Sequence, residues 1–158
     1  MADTLPDLLQ DALEIVFVGI NPSLYSAARG HYFARRSNRF WPCFSRSVLS
    51  QAARRAFAVE RLEPEHDAVL TAYGFGFTDL VKRATARASD LQQEELTRGV
   101  AELAAKLERH RPRLACFHAP AESFMGKTGE NRMHDRDVIT VDITHLREAG
   151  VSIAGCVG

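Results

Sequence analysis

Cysteine is scarce and oddly numbered in this 158-residue chain: Cys43, Cys116 and Cys156 stand without any Cys-x-x-Cys spacing. That count and spacing argue against a structural zinc site, a four-cysteine cluster or a disulfide framework, and predict reduced thiols in the cytoplasm. Long apolar runs are missing too, and none approaches the ~18–20 residues of a membrane span. The first eleven residues hold three acids and no base, so the basic region of a secretory signal is lacking. Net charge is likewise absent, with 20 basic side chains against 20 acidic ones. What remains is 46% hydrophobic and 25% charged, the balance of an ordinary globular core. A length near 150 fits one domain, burying roughly 70% of its unfolded surface. A disordered or collagen-like chain is excluded.

The neutral total hides a segregation. Residues 1–25 hold four acids and no base, and residues 62–102 hold eight acids against four bases. Between them, Arg29, Arg35, Arg36, Arg39, Arg46, Arg54, Arg55 and Arg61 stand against Glu60 alone. Such a stretch is an electrostatic footprint for phosphates, although a solvated face has the same composition. Tyr32, Phe33, Phe40 and Trp41 are interleaved with it, and exposed aromatics stack on bases. Trp41 and Phe40, beside Phe44 and Val48 at helical spacing, are expected in the core instead.

Residues 14–19 (EIVFVG) are a branched apolar run ended by glycine, a buried strand that leads into the turn Ile20-Asn21-Pro22-Ser23. A long polar loop to Asn38 is expected next, then helix over 40–49, 52–57 and 64–73. The clearest helix covers residues 91–110. There Leu96, Val100, Leu103, Ala104 and Leu107 form one apolar stripe, with Ser89 or Asp90 as the cap. Residues 114–118 (LACFH) and 137–143 (DVITVDI) read as further strands. Strands alternating with helices predict parallel βαβ units covered by helices on both faces, with ligands at the carboxyl ends of the strands.

Most candidate motifs fail on spacing. Gly126-Lys127-Thr128 resembles the end of a phosphate loop, but Ala121 stands where its first glycine belongs. Cys116 and His118 share a strand face, yet His110, His134 and His145 are scattered, and no cluster of metal ligands is legible. No Gly-x-Ser-x-Gly elbow occurs. The Gly19–Ser23 turn is better placed: glycine permits close approach, and proline fixes the backbone after an amide side chain. Asn21 is no strong base, but it can orient a water through its oxygen or donate its NH₂ to a carbonyl. As a bare dipeptide, Asn-Pro is also an ordinary turn.

Residues 16–42 (VFVGINPSLYSAARGHYFARRSNRFWP) resemble the N-terminal segment of the mismatch-specific uracil/thymine-DNA glycosylases, the Mug/TDG branch of the uracil-DNA glycosylase superfamily. The resemblance continues through residues 73–81 (YGFGFTDLV) and 83–86 to the LACFH strand. It implies one domain over residues 1–158, a three-layer α/β/α sandwich with a short, mainly parallel sheet. It further implies hydrolysis of the N-glycosidic bond of uracil, and often thymine or ethenocytosine, opposite guanine, without a metal or other cofactor. The base is taken out of the stack into a pocket. On this resemblance Asn21 positions the attacking water, Gly19 and Ile20 form the pocket turn, Phe33 stacks on the pyrimidine and Asn38 shapes the pocket. Arg29, Arg35, Arg36 and Arg39 are the expected phosphate contacts. The implied partner is double-stranded DNA with G·U or G·T mismatches, bound by a monomeric cytoplasmic protein that joins the nucleoid on DNA. With asparagine in place of the aspartate of faster relatives, a slow enzyme is expected.

Two departures accompany the resemblance. Ser23 replaces a glycine of many relatives and is expected to narrow the pocket or alter base preference. From Ala119 onward the resemblance is poor. Residues 142–148 stand where the family has an NPSGL-like motif, with His145 and Leu146 as a substitute wedge or a plain turn, and the family's final helix is expected to be largely missing. A catalytically silent DNA-binding member of the fold, or a small-molecule α/β enzyme, therefore remain alternative readings.

Overall fold

The protein is described by a computed structural model over residues 3–118 and, as backbone, residues 153–156. The expected strand at 137–143, the Gly126-Lys127-Thr128 segment and the 142–148 segment lie outside the described residues. The elements in chain order are β1 (Ile15–Gly19), α1 (Leu24–Arg29), α2 (Phe40–Arg46), α3 (Gln51–Phe57), β2 (Phe75–Asp79), α4 (Gln93–His110), β3 (Leu114–His118) and β4 (Ile153–Cys156). The strands form one parallel sheet in the order β2-β1-β3-β4.

Both sheet faces are apolar because parallel strands are covered on both sides. Val16, Val18, Ala115 and Phe117 point to one face, where α4 lays down Leu96, Val100, Leu103, Ala104 and Leu107. Each leucine, valine or phenylalanine among them contributes about 1.5–3 kcal/mol on burial. Phe17, Phe75, Phe77 and Cys116 point to the other face and meet Phe40, Trp41 and Phe44 of α2. The result is the expected α/β/α layering, with an aromatic layer on one side and an aliphatic layer on the other.

Several local readings change. Strand β2 was not expected; it pairs with β1 from Ile15↔Phe75 to Gly19↔Asp79. The loop after Ser23 contains α1, because the Ser23 hydroxyl caps it by accepting from the Ser26 N–H at 3.0 Å. Helix α4 starts two residues later than expected, with the Glu95 carboxylate accepting from the Gln92 N–H at 2.8 Å. The 64–73 helix is two 3₁₀ stretches, Pro64–His66 and Ala68–Tyr73. The 40–49 helix ends at Arg46, where Ser47 turns extended. Val48, expected in the core, is 84% exposed. Tyr32 is no exposed base-stacking ring but a core residue; its hydroxyl donates to Pro6 O at 2.9 Å. Trp41 and Phe40 are buried as expected, and the Trp41 indole donates to Tyr32 O at 2.9 Å. Cys116, expected as a reduced thiol, is disulfide-bonded. Among the described residues, no helix is long and apolar enough to cross a membrane.

Candidate active site

The carboxyl ends of β1, β2 and β3 open on a cavity of about 280 Å³. Gly19, Ile20, Asn21, Ser23, Phe33, Arg35 and Asn38 all line it, so one wall gathers seven of the ten residues singled out in the sequence. Asp79, Thr85 and His118 line it as well. The turn after β1 is fixed to the exit of β2: the carbonyls of Gly19 and Ile20 accept from the N–H groups of Leu80 and Val81, each at 2.8 Å.

Asn21 has its orientation determined by its partners. Its Nδ2 donates to the carbonyl of Arg83 and to Thr85 Oγ1, both at 2.8 Å. A carbonyl oxygen can only accept, so the NH₂ end must face it, and both amide hydrogens are used. The Thr85 hydroxyl spends its own hydrogen on Arg87 O at 2.6 Å, which leaves it an acceptor for Asn21. What Asn21 retains for a ligand is its Oδ1, an acceptor. The loop supplying these partners is tied to α4, because Arg83 grips Glu95 through Nε at 2.7 Å and a terminal nitrogen at 2.8 Å. That pairing holds the Glu95 carboxyl down at about 2.

Asp79 is the site residue that the sequence reading missed. It sits opposite Gly19 in the parallel register and is 3% exposed. A Cβ on Gly19 would lie 2.5 Å from Asp79 Oδ1 and 3.3 Å from the Phe33 ring, so glycine is what lets carboxylate and ring close on the turn. Asp79 Oδ2 is buried with no hydrogen-bond partner among the described residues. The nearest cation, Lys82 Nζ, lies 3.9 Å away and is engaged with Asp7 at 2.8 Å. Burial pushes the Asp79 carboxyl up to about 7; Lys82 pulls against the rise and Asp7 adds to it.

Phe33 stands in the left-handed region at φ 53°, a conformation that costs a residue with a Cβ roughly 1–2 kcal/mol. The surroundings hold it there. Asp67 accepts from the Tyr32 N–H at 2.9 Å, the Trp41 indole bonds Tyr32 O, and Ser26 Oγ accepts from the Ala34 N–H at 3.1 Å. Strain so fully braced is typical of functional positions. The ring it presents lies 4.6 Å from His118 and 4.7 Å from Phe40, centroid to centroid.

Ser23 lines the cavity, but its hydroxyl is committed to capping α1 and to Ser26 Oγ at 3.1 Å. The four arginines separate. Arg35 lines the main cavity and, with Arg36 and Arg61, a neighbouring one of about 270 Å³. Arg29 ends α1 with its guanidinium 5.1 Å from the Tyr25 ring centroid. Arg39 is exposed at the start of α2 and borders neither cavity. No three His, Cys, Asp or Glu side chains among the described residues are grouped to hold a metal ion.

A parallel sheet between two helical layers, with a cavity at its carboxyl edge, defines an α/β fold of the kind that binds ligands at the strand ends. Residues 6–148 match the Uracil DNA glycosylase superfamily. The chain belongs to that superfamily, whose members are DNA glycosylases, hydrolases with a DNA substrate.

Proposed function

We propose that the protein is a monofunctional DNA glycosylase of the mismatch-specific Mug/TDG branch, releasing uracil from G·U mismatches, and thymine from G·T, to leave an abasic site. The observation that carries this reading is Asn21, whose two amide hydrogens are bonded while its oxygen stays available to a water in the cavity. The cavity is near the small end of ligand pockets, roughly 300 Å³ upward, and suits one extruded base. In this reading Phe33 stacks on the base and the Gly19–Ile20 turn receives its edge. The bond between the sugar C1′ and the base nitrogen breaks, the electron pair leaves with the base, and the sugar becomes cationic. Water held by Asn21 adds to C1′ and gives up a proton. Asp79, titrating about 7, is our candidate to take that proton and to face the positive charge. The slow rate expected of a lone asparagine is thereby relieved, because a carboxylate is at hand.

Arg35, with Arg36 beside it, would grip phosphates, and the affinity would fall with salt. In this reading the protein acts as a monomer on duplex DNA. The test is single-turnover base release from a labelled G·U duplex at low salt, with wild type beside Asn21→Ala. Release by wild type that falls by a factor of about 10² or more in the variant is expected. Duplex binding without release from either protein would instead identify a silent DNA-binding member of the fold.

A further inference from the structure

The Asn38 carboxamide is oriented by an unambiguous donor. The backbone N–H of Phe40 gives its hydrogen to Asn38 Oδ1 at 2.9 Å. A backbone N–H cannot face an NH₂ group, so that end of the side chain is the oxygen. His118 Nε2 lies 3.0 Å from the same oxygen and must carry a hydrogen to bond it. With two donors on Oδ1, the hydrogen-bonding capacity left to Asn38 is its NH₂, for which no partner exists among the described residues.

We infer that His118, as its Nε2–H tautomer, is a positioning residue that locks Asn38 with its NH₂ available to the cavity, so that the site accepts a base bearing a carbonyl and rejects one bearing an amine there. The ring is held for this task at the end of β3, edge-on to Phe33 at 4.6 Å and to Phe40 at 5.4 Å. Its burial favours the neutral imidazole, shifting its pKa downward. A neutral imidazole has one N–H, and Asn38 fixes which nitrogen keeps it. Uracil carries a 4-carbonyl where cytosine carries a 4-amine. A locked donor is therefore the element that separates the two, and discrimination of this kind is strong because a mismatched amine leaves two donors facing each other.

The functional half of this inference rests on the glycosylase reading, whereas the tautomer half does not. Long-range ¹H–¹⁵N correlation of the histidine rings near pH 7.5 tests the latter on the folded protein. The His118 ring is expected to show a protonated Nε2 and a bare Nδ1, and Asn38→Ala is expected to abolish that fixed preference. A His118 signal with the proton on Nδ1, or one unmoved by Asn38→Ala, would overturn the proposal whatever the enzyme does. The second arm compares single-turnover release of uracil with release of 2-pyrimidinone, which lacks the 4-carbonyl, each opposite guanine. His118→Leu should lower the uracil preference about tenfold, the worth of one hydrogen bond, while His118→Gln, which returns an N–H donor near Nε2, should restore it. Equal rate losses for both bases in His118→Leu, without rescue by glutamine, would mean a merely structural side chain. No release of either base from wild type would sink the glycosylase reading and leave the tautomer result standing.

Discussion

Asn21 and Asn38 both line one cavity and have opposite ends of the same functional group engaged: Asn21 has both amide hydrogens bonded, Asn38 has its amide oxygen doubly bonded. One therefore offers an acceptor, fit for a water, and the other a donor, fit for a carbonyl. In each case the decision is made by a backbone group that has no choice of role, the carbonyl of Arg83 or the N–H of Phe40. The two side chains would be interchangeable in isolation; their neighbours assign them.

Thr85→Val tests the first assignment. The methyl keeps the volume of this buried residue but removes the acceptor that holds one Asn21 hydrogen. Single-turnover base release is expected to fall about tenfold, with a stability loss of about 1 kcal/mol by thermal or urea unfolding. A rate equal to wild type would mean that Arg83 alone orients Asn21.

Asp79 makes stability and activity respond to pH in opposite directions. Its folded-state pKa is raised from 3.8 to about 7, so the folded protein holds this proton more tightly than the unfolded chain. The stabilising contribution is complete below about pH 4 and is lost as pH rises through about 7. Asp79→Asn should therefore match the wild type at pH 4 and exceed it at pH 8, by at most about 4 kcal/mol. Base release should show the reverse: in the wild type it rises about tenfold per unit up to pH 7 and then levels, as for a base that must be ionised. The variant should be slow and lack that limb. Urea unfolding and single-turnover rates at matched pH values check the two halves separately.

What was legible in the sequence and what was not divide along local against non-local causes. The run at β1, the turn after it and the stripe of α4 are written in consecutive residues, and they fold as read. Strand β2 is not, because its sequence FGFTD has a glycine at its second position and no branched run. Gly76 is there for the N-terminal segment, which crosses so close that a Cβ would lie 2.6 Å from Leu8 O, and Leu8 pairs with Phe77 across the strand. Without β2, nothing aligned Asp79 with Gly19, and the carboxylate stayed invisible as a site residue. Tyr32 misled for a related reason: its arginine-rich neighbourhood suggested exposure, but contacts with Pro6 and Lys82, distant in the chain, bury it. The Gly19–Asp79 register, once known, was the one signal that could have found the acid.

Gly19→Ala should be far more damaging than a single methyl suggests. The added carbon meets a buried carboxylate oxygen at 2.5 Å and the Phe33 ring at 3.3 Å. Phe33 is braced through Tyr32 and Ala34, and the buried Asp79 carboxylate, whose Oδ2 has no hydrogen-bond partner among the described residues, must swing aside to make room. Overpacking of this kind costs about 1–3 kcal/mol in stability. Displacing ring and carboxylate together by even 1 Å should reduce base release by a factor of about 10². A folded Gly19→Ala protein with unchanged release would show that neither Phe33 nor Asp79 acts at the reacting base.

Arg35 and Arg98 should behave differently toward DNA although both are exposed arginines. Arg35 borders the main cavity and its neighbour, whereas Arg98 lies on α4, in the layer that covers the opposite face of the sheet from the aromatic rings. A side chain that neutralises one phosphate releases its condensed counterion, and losing it should lower the slope of log affinity against log salt by about 0.9. Arg35→Ala is thus expected to bind a G·U duplex more weakly at low salt and to converge with wild type as salt rises. Arg98→Ala should follow the wild-type line throughout. Fluorescence anisotropy from 50 to 200 mM salt, the interval over which roughly 6–10 phosphate contacts change affinity by about 10³–10⁵, resolves a difference of one contact. Parallel slopes for all three proteins would remove Arg35 from the phosphate-binding surface and point instead to a role inside the pocket.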